Sequence, residues 1–220
     1  MRAGKELGVI SRKKVKWLLA PAPGKHKKFE SISAGVLLRD VLCIVQNASE
    51  AKKLMNSGNL LLDGKKIKDA KYSIGLMDII AIPAEKKSYR MSLNGENMAP
   101  KEISNEAASR KYLKVTGKHT IRGAKTQIAF HDGRAYLGDK KIMTGDTCVF
   151  SIPEFKLAGH IKFAPGARCL VTKGKHAGEI AQLDKIIERP GSHDTEALLS
   201  GPSGQFVTVA KYLFVVDEKF

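Results

Sequence analysis

Residues 36–82 begin with Val36-Leu-Leu-Arg-Asp-Val-Leu-Cys-Ile-Val45, an apolar stretch that holds a single charged pair. Its apolar side chains recur at helical spacing, which predicts a helix. They are Leu38, Val41, Leu42 and Val45. A second helix follows, for which Ser49 is a plausible N-cap with Glu50 in the first turn, and Gly58 is placed to end it.

The second half of this stretch predicts a small sheet. Asn59-Leu-Leu-Leu-Asp-Gly-Lys-Lys-Ile-Lys68 predicts two short strands, because Asp63-Gly64 between apolar runs is a strong hairpin signal. Met77-Asp-Ile-Ile-Ala-Ile82 predicts a closing strand, which Pro83 ends because proline lacks a backbone donor. We therefore predict a compact platform of two small helices, a hairpin and a strand, with lysines on the second helix and on the turn.

Four motifs in this platform resemble a known fold. They are Arg39-Asp-Val-Leu42, Glu50-Ala-Lys-Lys-Leu54, Gly58-Asn-Leu-Leu-Leu-Asp-Gly64 and Gly75-Leu-Met-Asp78. Together they resemble the small RNA-binding fold named after bacterial ribosomal protein S4. The run Gly75-Leu-Met-Asp-Ile-Ile-Ala-Ile-Pro83 is similar to the S4e family, the small-subunit ribosomal proteins of archaea and eukaryotes.

Positive charge dominates the composition. The chain has 38 Lys and Arg against 22 Asp and Glu, a net charge of +16. Residues 1–30 carry nine basic and two acidic side chains, so nearly half of the excess lies in the first seventh of the chain. Like charges repel in a compact state, so this imbalance indicates a polyanionic partner, for which nucleic acid is the usual candidate.

The cysteines and the apolar runs indicate the compartment. Cys43, Cys148 and Cys169 lie far apart without a Cys-x-x-Cys motif, which favours a reducing compartment and predicts small buried apolar residues. No apolar run exceeds five residues, and the N-terminus lacks an apolar signal core. We expect an intracellular soluble protein.

Residues 1–35 are basic and punctuated by glycine and proline. We predict that they cannot bury enough apolar surface to order themselves, and that they form an arm that orders on RNA. Trp17 would stack on a base or wedge into the body; the alternative is a solvated tail in which Trp17 covers the body. The S4e family resembles this segment through a basic extension with a Pro-Gly-x-His motif, matched by Pro23-Gly-Lys-His26.

Residues 85–158 predict a β-rich domain with one helix. Tyr89-Arg-Met-Ser-Leu93 and Asn94-Gly95 suggest a hairpin, and Ser104 could cap a helix running to about Lys111. Strands are predicted at 112–116, 126–130 and 148–152, with turns at 131–134 and 144–146. In the His131-Asp-Gly-Arg134 turn, neighbouring residues point in different directions and make poor general-base partners, so we favour contact with phosphate or base over catalysis. The S4e family has a similar turn in the same place.

Residues 159–220 resemble a KOW motif, the opening hairpin of a small SH3-like barrel. Gly166–Ile180 predicts a strand, a turn at Gly174–Gly178 and the start of a second strand. Further strands are predicted at 206–209 and 213–216. Lysines in the turn would project towards RNA; the alternative is a hairpin whose lysines face water.

Motifs for catalysis or cofactor binding are missing from the sequence. It has no phosphate-cradling loop and no two histidines spaced by three or four residues. Its carboxylates are scattered, with no apolar-flanked pair of the kind that tunes an acid and a base apart. We therefore expect no enzymatic activity, no catalytic residue, no cofactor and no metal site.

The predicted fold class is α+β, mostly β, in four parts. These are a basic N-terminal arm (1–35), an S4-type RNA-binding domain of two helices plus a small sheet (36–84), a β-rich central domain (85–158) and a C-terminal KOW SH3-like barrel (159–220).

The resemblance implies a structural constituent of the small ribosomal subunit that binds and stabilises small-subunit rRNA in translation. Its expected partners are that rRNA and neighbouring small-subunit ribosomal proteins, with no membrane and no small-molecule substrate, on ribosomes in the cytoplasm. The ending at Phe220 lacks the longer basic tail of eukaryotic members and favours an archaeal-like form. The alternatives are an RNA-modifying enzyme carrying an S4-type domain and a non-ribosomal RNA-binding elongation or assembly factor.

The candidate RNA contacts are basic and aromatic side chains of the arm, the platform, the central turns and the KOW loop. They are Arg2, Arg12, Lys13, Lys14, Lys16, Trp17, Lys25, His26, Lys27, Lys28, Arg39, Lys52, Lys53, Lys65, Lys66, Arg122, Lys125, His131, Arg134, Lys173, Lys175 and His176.

Overall fold

A computed structural model describes residues 18–123, 125–189, 194–202, 204–217 and 220. The chain divides into two compact units. The first comprises the described residues up to Ser92 together with Asn97–Lys111 and Ser151–Phe155, and the second comprises Leu93–Glu96, Tyr112–Phe150 and the described residues from Lys156 onward. Within the described part of the chain, no helix has the length and apolar character needed to cross a membrane.

The first predicted helix is shorter than its apolar pattern indicates. Helix α1 spans Ala34–Val36 and continues as a π-helical turn over Leu37–Val41. The prediction of helix up to Val45 is wrong, because Cys43 has a φ of +53°, a left-handed conformation that a right-handed helix cannot contain.

Helix α2 spans Ala48–Asn56, and its N-cap is Asn47 rather than Ser49. The Asn47 Oδ1 accepts from the Glu50 amide at 3.0 Å, and the Glu50 carboxylate accepts from the Gln46 amide at 2.8 Å. The prediction of Ser49 as cap is wrong, because Asn47 occupies the N-cap position and its side chain already satisfies an amide of the first turn. Gly58 follows the helix with a φ of +78°, as predicted.

The predicted hairpin is confirmed. Strands β2 (Leu61–Leu62) and β3 (Lys65–Lys66) flank Asp63 and Gly64, whose φ values are +48° and +76°. Both are positive, as the favoured two-residue hairpin turn requires.

Strand β2 also pairs with β5 (Ile79–Ile82), the predicted closing strand, after which Pro83 begins a 3-10 turn. The sheet order is β3-β2-β5-β6-β7, where β6 is Lys87–Asn94 and β7 is Asn97–Ile103. The hairpin predicted at Asn94-Gly95 therefore joins β6 to β7.

The remaining helix, α3 (Asn105–Ala108), is capped as predicted: the Ser104 Oγ accepts from the Ala107 amide at 3.3 Å. It ends before Lys111 because strand β8 (Arg110–Ile121) already begins there, so the predicted helix length is wrong.

Part of the predicted arm belongs to the core of the first unit. Strand β1 (Ser31–Ser33) pairs with β4 (Ser73–Gly75), and Leu18 is buried in the same apolar cluster as Ile32. The Ala22 amide donates to the Lys71 carbonyl at 2.7 Å. The prediction that this segment cannot order itself is therefore wrong for residues 18–35, and residues 1–17 lie outside the described part of the chain.

The second unit contains two five-stranded sheets. In the first, β8 is joined by β9 (Lys125–Phe130), β10 (Ala135–Gly138), β11 (Thr147–Ser151) and β12 (Lys156–Ile161) in the order β10-β9-β8-β11-β12. The three strands and two turns predicted for residues 112–152 fall on these elements, although β8 extends five residues beyond Thr116.

The other sheet comprises β13 (Arg168–Val171), β14 (Ile180–Ile187), β15 (Glu196–Gly201), β16 (Gly204–Val209) and β17 (Leu213–Val215) in the order β16-β15-β14-β13-β17. The predicted turn Gly174–Gly178 joins β13 to β14. A mostly β chain with few helices is thus confirmed, while the finer S4-type and KOW assignments stay predictions.

Candidate nucleic-acid interface

Five charged or polar side chains meet inside the first unit. We call Lys25, His26, Asp63, Asp78 and Lys111 the buried ionic cluster. The Lys111 side chain is 0% exposed, and its Nζ donates to Asp63 Oδ2 and to Asp78 Oδ1, each at 2.5 Å. A fully buried ammonium requires such partners because desolvation is otherwise prohibitive.

Each aspartate of the cluster also accepts hydrogen bonds from a second side chain and from a backbone amide. Asp63 accepts from Lys25 Nζ at 2.6 Å and from the Ile79 amide at 3.2 Å. Asp78 accepts from the Gly75 amide at 3.0 Å and bonds His26 Nε2 at 2.9 Å. Burial alone would raise the pKa of Asp78, but the charge of Lys111 and the bond with His26 outweigh it, so this pKa lies well below its ordinary value of 3.8.

The contact between His26 and Gly75 explains why a glycine occupies position 75. A Cβ built on Gly75 would lie 2.4 Å from His26 Cγ, closer than any real contact. The motifs Pro23-Gly-Lys-His26 and Gly75-Leu-Met-Asp78 are therefore partners in one packing arrangement.

The candidate RNA contacts Lys25 and His26 thus point inward. The Lys25 side chain is 16% exposed and the His26 side chain is 4% exposed. Both are bonded to buried carboxylates, so their polar groups are engaged inside the first unit. The next two candidates, Lys27 and Lys28, are exposed.

The four candidate lysines of helix α2 and the β2–β3 hairpin are all exposed. They are Lys52, Lys53, Lys65 and Lys66. A Cβ on Gly58 would lie 3.2 Å from the Lys66 Cδ and 3.3 Å from its Nζ, so the Lys66 side chain lies at the C-terminal end of α2. The structure therefore brings this hairpin lysine to the helix end, where backbone carbonyls favour a positive charge.

Arg39 is engaged with its neighbour. Its Nε and one terminal nitrogen donate to the two carboxylate oxygens of Asp40 at 2.8 and 2.7 Å. This hydrogen bonding raises the pKa of the guanidinium. The positive charge of Arg39 is therefore largely balanced by Asp40.

In the second unit, the His131–Arg134 turn is held by internal contacts. The His131 Nδ1 accepts from the Lys114 amide at 3.2 Å, and its ring packs edge-to-face on Phe214 with centroids 5.2 Å apart. The Arg134 amide donates to the buried Asp132 carboxylate at 3.1 Å, and Arg134 Nε lies 3.2 Å from its other oxygen. These contacts stabilise the turn, and contact of its side chains with RNA stays a prediction.

The other candidates of the second unit lie on loops or, for Lys125, at the first residue of β9. Arg122, Lys125, Lys173 and Lys175 are exposed at the β8–β9 and β13–β14 turns. His176 instead stacks on Phe206, with centroids 4.0 Å apart and rings inclined by 12°, and its Nδ1 lies 3.3 Å from Glu179. The candidates Arg2, Arg12, Lys13, Lys14, Lys16 and Trp17 lie outside the described residues.

Asp63, Asp78 and Lys111 were not predicted as a group. Asp63 and Asp78 are both buried and share Lys111 as their cation, an arrangement that the scattered positions of the carboxylates in the sequence do not indicate. A usable signal was present at Asp78, which lies between the apolar residues Met77 and Ile79, immediately before strand β5, where an unpaired buried charge would be destabilising. Among the residues that the structure describes, no cluster of His, Cys, Asp and Glu could hold a metal ion.

Comparison with known proteins identifies the family. The model of "Ribosomal family S4e" matches residues 85–157. "Small ribosomal subunit protein eS4" of Methanothermobacter thermautotrophicus is 37% identical over 211 residues, 95% of this chain and 87% of that protein. The eS4 protein of Archaeoglobus fulgidus is 36% identical over 96% of this chain and 88% of its own length.

A solved structure gives the same result. The crystal structure of the 30S ribosomal protein S4e from Thermoplasma acidophilum superposes with a TM-score of 0.74 and 31% identity, covering 87% of this chain and 97% of that one. The identity, the coverage and the shared fold agree, and the chain belongs to the ribosomal S4e family.

Proposed function

We propose that this protein is a structural constituent of the small ribosomal subunit, where it binds and stabilises small-subunit rRNA and contacts neighbouring ribosomal proteins in the cytoplasm. The names of its relatives support this function, since they are called small ribosomal subunit proteins. The net charge of +16 supports an anionic partner.

The observation that carries the proposal is the arrangement of exposed lysines on a rigid unit. Lys52 and Lys53 lie on α2, Lys65 and Lys66 lie on the adjoining hairpin, and Lys66 reaches the end of α2. The buried ionic cluster fixes that same hairpin, because Asp63 is its turn residue. Positive charges held on an ordered backbone can contact phosphates without the cost of ordering that backbone on binding.

The proposed domains follow the family. Helix α2, the β2–β3 hairpin and β5 support an S4-type RNA-binding domain over 36–84. The β13–β14 hairpin, with its turn at Gly174–Gly178, supports a KOW barrel over 159–220. The central strands would form the remaining domain, and the arm would add phosphate contacts through its basic residues.

Family membership favours this function over the alternatives. An RNA-modifying enzyme with an S4-type domain and a free elongation or assembly factor would both bind RNA through similar surfaces. Over 95% of the chain, however, the relatives carry the name of a ribosomal subunit protein.

A salt series on the full-length chain tests the proposal. The variant Lys52→Gln, Lys53→Gln, Lys65→Gln, Lys66→Gln should bind small-subunit rRNA more weakly and with a shallower dependence on salt. The slope of log K against log[salt] should fall by roughly 0.7–0.9 for each phosphate that the variant no longer neutralises. A matched control replaces four exposed lysines of the same unit, Lys68, Lys71, Lys87 and Lys101, with glutamine. Equal slopes for the two variants would contradict the proposed interface.

A further inference from the structure

A cavity of about 400 Å³ opens on the second unit, in the sheet that contains β8. Its lining residues come from β9, β10 and β12 and from the loop after β10. Strands β10 and β12 are the two opposite edges of that sheet, so the sheet curves enough to bring both edges to one opening. The volume lies within the range of small-molecule sites, about 300–1,000 Å³.

The lining combines apolar side chains with positive charge. Leu137 is 55% exposed and Leu157 is 38% exposed, and Tyr136 contributes an aromatic ring. Lys125 and Lys140 lie at the same opening, and Asp139 is the acidic residue among the lining. An aromatic and apolar wall beside two lysines matches a nucleotide, which combines an apolar base face with a charged phosphate.

Contacts within the unit hold this arrangement in place. The Tyr136 ring packs edge-to-face on Phe150, with centroids 5.3 Å apart. The Lys118 Nζ donates to the Lys140 carbonyl at 2.5 Å and lies 3.7 Å from the sulfur of Met143, which fixes the loop that carries Lys140. A preformed wall and a fixed loop reduce the ordering cost of binding.

We propose that this cavity receives one unstacked base of small-subunit rRNA, with Lys125 and Lys140 on the adjacent phosphates. The inference rests on the proposed function and adds a binding site for a base. Of the candidate RNA contacts predicted from the sequence, Lys125 alone lines this cavity. The two lysines and the tyrosine of the lining favour RNA over a protein side chain as the occupant. Lysine is depleted at protein–protein interfaces, whereas RNA recognition relies on unstacked bases beside aromatic rings and on cations at phosphates.

Site-directed photo-cross-linking tests this inference. Leu137 in the full-length chain is replaced by p-benzoylphenylalanine, the protein is assembled into small subunits, and the cross-linked product is sequenced. The expected result is a cross-link to a single rRNA nucleotide that the variant Lys125→Gln, Lys140→Gln reduces. The matched control carries the same photoreactive residue at Val207, an exposed position of β16 that is not part of the cavity lining.

A binding measurement complements the cross-link. Leu137→Asp places a carboxylate at the opening and should weaken rRNA binding on the order of tenfold, within the range of one stacked base. Val207→Asp is its control and should leave the affinity within twofold.

A cross-link from Leu137 to a neighbouring protein, or one spread over many nucleotides, overturns the inference. Retained rRNA binding by the substituted chains leaves the proposed function standing. Absence of any salt-dependent rRNA binding by the unsubstituted chain overturns both.

Discussion

The ammonium group of Lys111 lies 2.5 Å from a carboxylate oxygen of Asp78, and neither side chain is exposed to solvent. Lys111 is the second residue of β8, and Asp78 immediately precedes β5. The pair therefore ties the start of a long strand to the platform, and Asp63 extends the connection to the β2–β3 hairpin. The hairpin that carries Lys65 and Lys66 is therefore anchored to the buried ionic cluster through Asp63.

Removing Lys111 should strongly destabilise the protein. Lys111→Met keeps most of the side-chain volume but leaves two buried carboxylates without their shared cation, which we expect to lower the free energy of unfolding by about 3–5 kcal/mol. Urea unfolding followed by circular dichroism measures the change. Lys101→Met, an exposed position on β7, is the control and should stay within about 0.5 kcal/mol. A decrease smaller than about 1 kcal/mol for Lys111→Met would show that the cluster is unimportant for stability.

The low pKa of Asp78 predicts a loss of stability in acid. A carboxyl group whose folded pKa is depressed stabilises the fold above its unfolded pKa, near 3.8, and that contribution is lost as pH falls through the folded pKa. Unfolding of the unsubstituted chain and of Asp78→Asn should therefore differ most above about pH 5 and converge below pH 3.8, because the asparagine is uncharged throughout. A difference that stays constant from about pH 6 to about pH 3 would contradict the ionised state of Asp78.

The fit between Gly75 and His26 predicts coupled substitutions. Gly75→Ala should cost about 1–3 kcal/mol of stability, because its Cβ displaces the His26 ring from Asp78. His26→Ala removes the clashing ring, so the double variant should lose less stability than the sum of the two single variants. We expect a coupling of about 0.5–3 kcal/mol from a double-mutant cycle measured by urea unfolding. Simple additivity would show that the two positions do not interact.

The cysteines should differ in reactivity. Burial raises the pKa of Cys148 to about 11 and that of Cys169 to about 12, so both remain thiols at neutral pH. Cys43 is exposed, so the prediction of a buried residue is wrong there and confirmed for the other two. Iodoacetamide at about pH 8 should label Cys43 alone in the native protein, as mass spectrometry would show. Labelling of Cys169 at a rate comparable to that of Cys43 would contradict the burial of Cys169 on strand β13.

Local elements were predictable where a short motif determines the backbone. Asp63-Gly64 supplies the two positive φ values of a tight hairpin, and Ser104 supplies a side-chain cap for α3. Helix ends were less predictable: the apolar spacing of residues 36–45 continues past Val41, but the positive φ of Cys43 ends the helix.

The buried ionic cluster could not be predicted from local patterns. Its members lie between positions 25 and 111, and only the tertiary fold brings them together. Lysines of this chain therefore lie in opposite environments. Lys111 is fully buried, while Lys65 is exposed on the hairpin whose turn contains Asp63. A cluster of positive charge in the sequence indicated an anionic partner, but which lysines face it depends on burial.

Sedimentation of the native protein tests membership of the small subunit most directly. Lysate of the source cells is separated on sucrose gradients, and the protein is detected by immunoblotting in each fraction. We predict that it migrates with small ribosomal subunits at low salt and is released progressively as salt rises, because phosphate contacts contribute much of its affinity. Migration of the protein alone, near the top of the gradient at low salt, would contradict its assignment to the small subunit.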